Sequence, residues 1–203
     1  TVSSSIGGEG KTFCSMNIAS IFALSGKKTV LIGADLRKPK LELEFKSENK
    51  SGLSNYLINK STLKEITNKT EVENLDIIFS GPTPPNPAEL LDSTKMQELI
   101  KKLNIEYDYV IIDTPPIGLV TDGVILMKNA DINLYVVRHN YTKYQALSVV
   151  NGLYNNKKVE NLQIIINDYQ NDIGNYGYGY GYGYGYGYGY GGGYGYYEED
   201  EKS

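Results

Sequence analysis

Residues 5–12 read Ser-Ile-Gly-Gly-Glu-Gly-Lys-Thr, and this stretch decides the fold. It matches the P-loop pattern G-x-x-x-x-G-K-[ST] except at its first position, where Ser5 replaces glycine. The physics survives that change. Gly7, Gly8 and Gly10 let backbone N–H groups turn inward around phosphate oxygens, with Glu9 between them. Lys11 supplies a point charge for the β- and γ-phosphates, and the Thr12 hydroxyl can coordinate Mg²⁺. The helix that follows adds its N-terminal dipole. ATP and Mg²⁺ are therefore the expected ligands, held by Gly7 to Thr12 with Phe13 next in line.

Outward from the loop, apolar runs alternate with amphipathic ones. Strands are predicted over Thr29–Gly33, Leu75–Ser80, Tyr109–Asp113, Ile132–Arg138 and Leu162–Asn167. Runs such as Val110-Ile111-Ile112 are β-branched and continuous, which suits strands buried on both faces of a parallel sheet. Helices are predicted over Thr12–Leu24, Pro87–Leu103 and Thr142–Tyr154. The alternation predicts an α/β fold, a three-layer, doubly wound, mostly parallel sheet of the P-loop NTPase type, with ligands at the carboxyl ends of the strands. Asp113 ends the apolar strand Tyr-Val-Ile-Ile-Asp, the Walker B arrangement, where a carboxylate can hold Mg²⁺ through water. Asp35 follows the strand Val-Leu-Ile-Gly and lies beside Asp113 if those strands are neighbours. There are two arginines against eighteen lysines. Arg138 ends one predicted strand and Arg37 lies just past another, at the ligand edge, where a planar fork suits carboxylate or phosphate.

The 203 residues carry a net charge of -4 with both signs interspersed, which gives no electrostatic case for nucleic acid as a partner. The single cysteine, Cys14, excludes an internal disulfide, and no Cys/His cluster suggests zinc. No run of 18 or more apolar residues offers a membrane-spanning helix. Thr1-Val2 reads as the end of a strand, so the chain is taken as a soluble fragment whose upstream part, a membrane anchor included, is not in view. Two domains are expected: residues 1–170 bind nucleotide, and 171–203 form a Gly/Tyr tail. Tyrosine recurs there at 176, 178, 180, 182, 184, 186, 188 and 190, then at 194, 196 and 197. Alternate glycines and the lack of aliphatic residues beyond Ile173 predict disorder for this tail.

These features together resemble the bacterial tyrosine kinases that govern capsule and exopolysaccharide export. The resemblance covers nearly the whole chain. It rests on Ser3-Ser4-Ser5 through Thr12 as Walker A, Asp35-Leu36-Arg37-Lys38-Pro39 as an extra Walker A′ motif, and Asp113-Thr-Pro-Pro as Walker B. Gly52-Leu53-Ser54 with Tyr56-Leu57, Asn86-Pro87-Ala88-Glu89-Leu90-Leu91 and the tyrosine cluster add to it. The resemblance implies a fold shared with ParA and MinD, and autophosphorylation in trans within a ring of copies. Lys11, Asp35, Arg37 and Asp113 would be catalytic, with Thr12, Asp35 and Asp113 about the metal. Asn167 would contact adenine, and Tyr176, Tyr178, Tyr180, Tyr182, Tyr184, Tyr186, Tyr188, Tyr190, Tyr194, Tyr196 and Tyr197 would be phospho-acceptors. It also implies a membrane-embedded polysaccharide co-polymerase as partner, a cognate tyrosine phosphatase, and a place at the cytoplasmic face of the inner membrane. One departure matters. The family's Walker A′ carries two aspartates, and the first is Gly33 here. Two alternatives stay open: a positioning ATPase of the ParA and MinD type, which shares the fold, and a regulator that binds ATP without catalysis, for which Gly33 is the reason. The first expects a second lysine early in the loop, where this chain has Ile6.

Overall fold

The computed structural model describes residues 1–46, 51–118, 122–156 and 159–170. The chain divides after Gln170 into two units, and the tail tyrosines, with the disorder expected for them, lie outside the described residues. In chain order the elements are β1 (Val2–Ser4), α1 (Lys11–Leu24), β2 (Thr29–Gly33), α2 (Leu41–Glu44), α3 (Leu53–Leu57) and α4 (Leu63–Ile66). There follow β3 (Thr67–Lys69), β4 (Leu75–Ile78), α5 (Pro87–Leu91), α6 (Thr94–Glu106), β5 (Tyr109–Asp113) and α7 (Asp122–Met127). The last are β6 (Asn133–Arg138), α8 (Leu147–Asn155) and β7 (Leu162–Asn167).

The strands form one sheet in the order β3-β4-β2-β5-β1-β6-β7. All pairings are parallel except β3 with β4. The register sets Gly33 opposite Asp113, so β2 and β5 end level with each other beside the P-loop. Side chains of β2 serve both faces in turn, as a strand's period of two requires. Val30 and Ile32 join Leu53, Leu99 and Leu103 in one core, while Leu31 joins Ala19 and Ala23 of α1 in a second. Tyr135, Val150 and Leu153 make a third around β6. This is the expected three-layer, doubly wound architecture.

All five predicted strands are present, with the 75–80 strand ending at Ile78 and the 132–138 strand starting at Asn133. The predicted helix over 87–103 is two helices. Ser93 breaks it, because its hydroxyl caps α6 by accepting from Met96 N at 3.2 Å, a bond that requires non-helical backbone at the cap. Helix α8 starts at Leu147, behind a 3₁₀ turn over Tyr144–Ala146, rather than at Thr142. Strand β3 escapes a reading based on apolar runs because Thr67-Asn68-Lys69 is polar throughout.

The motif Gly52-Leu53-Ser54 has a packing reason. Leu53 N donates to Phe79 O at 2.8 Å and Ser54 N to Ser80 O at 2.9 Å, so α3 starts directly on the chain leaving β4. A Cβ on Gly52 would collide with Phe79 O and Gly81 N, both backbone atoms. Gly52→Ala is thus expected to cost more than about 2 kcal/mol of stability, the scale of overpacking. Chemical denaturation of the two proteins checks this.

Candidate phosphate-binding site

The site is built where β1, β2, β5 and β6 end. The loop from Ser5 to Gly10 leaves β1 and feeds α1, with Gly10 at φ 95° in the left-handed region that glycine alone enters easily. Three consecutive loop carbonyls are held by side chains from the end of β6, the turn after it and the end of β7. Tyr141 Oη donates to Gly7 O at 3.0 Å, Arg138 Nη1 to Gly8 O at 3.1 Å, and Asn167 Nδ2 to Glu9 O at 3.0 Å. Anchoring the carbonyls of a short loop in this way leaves its N–H groups to form a concave anion nest. Glu9 is fully buried, and its carboxylate accepts from Ile6 N at 2.8 Å and from the Thr142 hydroxyl. Its side chain therefore braces the loop. Ser5, in the position where the motif has glycine, hydrogen-bonds through its hydroxyl to Tyr135 Oη beneath the loop.

Lys11, Thr12, Asp35 and Asp113 converge and are all buried. The Lys11 ammonium stands 3.4 Å from Asp35 Oδ2 and 3.8 Å from Asp113 Oδ1. Thr12 Oγ1 donates to Asp113 Oδ2 at 2.8 Å, and Ser15 Oγ lies 3.3 Å from Asp113 Oδ1. Burial pushes the Asp113 carboxyl above its ordinary range; Lys11 and the Thr12 hydrogen bond oppose the rise, Asp35 adds to it, and Ser15 opposes it. The donor set is all oxygen, two carboxylates and a hydroxyl. That chemistry suits Mg²⁺, which takes one or two carboxylates and completes its shell with water and phosphate.

Other predicted residues fall differently. Arg37 is paired with the buried Asp122 at the start of α7, through Nε at 2.7 Å and Nη2 at 3.2 Å. Phe13 is 59% exposed on the first turn of α1. Asn167 is brought to the loop, where a Cβ on Gly10 would strike its amide. Sequence reasoning missed Ser15, Tyr141, Thr142 and Asp122. A signal existed for Ser15, one helical turn beyond Lys11; the others reach the site only through the topology.

A family model for an AAA domain matches residues 1–168. The tyrosine-protein kinase YwqD of Bacillus subtilis (strain 168) is 44% identical over 142 residues, 70% of this chain and 60% of that protein. The kinase domain of Escherichia coli tyrosine kinase ETK superposes with a TM-score of 0.79 at 32% identity, covering 89% of this chain and 71% of the other. The chain belongs to the bacterial tyrosine kinase family. The fold reaches further, to the septum site-determining protein MinD complexed with Mg-ADP from Pyrococcus horikoshii OT3, with a TM-score of 0.64 at 25% identity over 80% of this chain and 65% of the other. The expected P-loop fold shared with MinD is thereby borne out. This family member spans 59% of the putative tyrosine-protein kinase CapB of Staphylococcus aureus and 60% of YwqD. Among the described residues no helix is long and apolar enough to cross a membrane.

Two outcomes follow from the site's electrostatics and bracing. A carboxyl raised by burial costs folding stability above its ordinary pKa, and that cost is relieved as pH falls through the raised value. Asp113→Asn should therefore raise the melting temperature of the ligand-free protein at pH 7, by about 2–4 °C for ~1 kcal/mol. Thermal melts should show the gain shrinking towards pH 4. Asn167→Ala removes one brace of the loop and should weaken nucleotide binding about fivefold, on the scale of one hydrogen bond, as read by calorimetric titration.

Proposed function

We propose that this domain transfers the γ-phosphate of ATP to tyrosine, and that its first acceptors are the tail tyrosines of a neighbouring copy. One observation carries the reading: a buried lysine between two carboxylates, under a braced anion nest, in a chain that ends in eleven clustered tyrosines. Lys11 would neutralise the β- and γ-phosphate oxygens, and the N–H groups of Gly7 to Thr12 would fix their position. Thr12, Asp113 and Asp35 would hold Mg²⁺, which spreads the charge that builds on the transferring group. The inward turn of Glu9 leaves its backbone as the part that meets phosphate. Arg37, held by Asp122, would keep its fork at the site's edge. Asn167 would set the adenine side of the pocket, and Phe13 lies open to the base or to a second copy. The kinase names of the relatives support the activity.

Residues 1–170 would be the catalytic unit and 171–203 the acceptor. A random-coil segment of that length would span roughly 30 Å, the reach that transfer to an adjacent copy would need. Tethering would hold the acceptor concentration on the order of millimolar. Each phosphate adds about -1.5 to -2 charges, so a modified tail would repel its neighbours and open the assembly. The proposed setting is capsule or exopolysaccharide export at the cytoplasmic face of the inner membrane. There, a membrane-embedded co-polymerase segment would gather the copies and a tyrosine phosphatase would reset them.

The non-catalytic regulator is the second reading, and Gly33 favours it. The space a side chain would need there is taken by Ser80 and Leu41, so no carboxylate stands opposite Asp113 on β2. Incubating the full chain with Mg-ATP and probing phosphotyrosine separates the readings. Signal is expected, with Lys11→Ala lowering it at least about 100-fold. Nucleotide binding with no phosphotyrosine in the parent chain would instead establish the regulator.

A further inference from the structure

Among the described residues the sheet ends in two edge strands, and they are built differently. Strand β3 at one edge is three residues long, polar throughout, and carries Lys69. Short length and a lysine keep a strand edge from pairing with another chain. Strand β7 at the other edge runs six residues, Leu-Gln-Ile-Ile-Ile-Asn, with no charge and no proline. Ile164 is 55% exposed and Ile166 61%. Among the described residues no strand pairs with the outer side of β7.

Two bonds fix which backbone groups of β7 point outward. Asn133 N donates to Asn161 O at 2.9 Å, and His139 N to Asn167 O at 3.0 Å. In a parallel strand the N–H and C=O of one residue point to the same side, and that side alternates along the chain. The odd-numbered residues of β7 therefore serve β6, and the N–H and C=O groups of Leu162, Ile164 and Ile166 face the open edge. The side chains of these three share one face, and Leu162 packs against the core around Tyr135 and Leu153. The edge thus offers a row of backbone donors and acceptors beside an apolar step, the form that an added strand pairs with.

We propose that the outer edge of β7 is the docking strand for the Gly/Tyr tail of a neighbouring copy, which adds to the sheet with its tyrosines over Ile164 and Ile166. The inference rests on the reading of that tail as the phospho-acceptor. Tyrosine occupies every second position from 176 to 190, the period that lines one face of a strand. Tyrosine opposite a β-branched side chain is a favourable cross-strand pair. Alternate glycines make the tail a poor strand by itself, so it needs a template, and β7 supplies one. A shift by two residues restores the same pairing, so docking reads the repeat and not one particular tyrosine. The exit of the chain favours a neighbour's tail over its own. After Asn167 the chain bends towards β6, where Tyr169 lies against the His139 ring and Gln170 N meets His139 Nδ1 at 3.3 Å, away from the open edge. Phosphate on a docked tyrosine would set about -1.5 to -2 charges against apolar surface, so a modified tail leaves and an unmodified one takes its place.

The test titrates the full chain, with Mg-ADP present so that no transfer occurs, into a fluorescein-labelled peptide of residues 175–191 and reads anisotropy. Ile164→Pro removes an outward N–H that β6 does not use. Ile164→Thr combined with Ile166→Thr keeps strand-forming residues and removes apolar surface. Each should weaken peptide binding about tenfold, the scale of one or two lost contacts, while the double threonine variant keeps the parent's nucleotide affinity. A peptide of the same composition in Tyr-Tyr-Gly-Gly order, and the native peptide phosphorylated on its tyrosines, should bind as weakly to the parent chain. Unchanged binding in both β7 variants, or equal binding of the reordered peptide, overturns the docking site even where the full chain makes phosphotyrosine. If light scattering shows these variants changing the mass of the full chain while peptide binding stays, the edge belongs to pairing between two β7 strands, and the proposal falls as well. The expected binding pattern in a chain that makes no phosphotyrosine keeps the docking site and overturns only the transfer.

Discussion

The structure turns on one buried cation. Lys11 sits between Asp35 and Asp113 with almost no access to water, and charge in that position is tolerable only when paired. The three residues come from three places in the chain: the start of α1, the turn after β2 and the end of β5. Holding them together requires β2 and β5 to run side by side in register, which the crossover helices and both central cores enforce. The two carboxylates and one ammonium leave the cluster one charge short of neutral. That surplus of negative charge suits a site where a divalent cation and a polyanion arrive together.

The second constraint is the orientation of the loop. A glycine-rich loop has many conformations, and its anion affinity depends on losing them before the ligand arrives. Here the loop is braced from outside by Tyr141, Arg138 and Asn167 and from within by Glu9 and Ser5. The arginine fork is used on a backbone carbonyl and on Asp168, which lies 3.0 Å from Arg138 Nε. Preorganisation is thus carried by side chains well removed in sequence from the motif that binds.

That division explains what could be read in advance. The central strands announce themselves because burial on both faces demands continuous β-branched runs, as in Val110-Ile111-Ile112. Lys11, Thr12, Asp35 and Asp113 were legible because each belongs to a local pattern next to a strand end. The polar edge strand β3 was not, since its identity comes from pairing with β4 rather than from its own residues. The break between α5 and α6 depended on a single serine choosing to cap. Tyr141 and Thr142 carry no local pattern at all. Their roles come from tertiary neighbours 134 and 133 positions away.

The brace at Asn167 has a mechanical side. Strand β7 ends at that residue, and three residues later Gln170 N meets His139 Nδ1 at 3.3 Å, with Tyr169 against the same imidazole. Asn167 thus does two jobs at once: its backbone closes the β6–β7 ladder by accepting from His139 N at 3.0 Å, and its amide grips Glu9 O. The edge of the sheet and the shape of the phosphate loop are set by the same residue, so a slip of β7 by one position would leave the loop without that grip.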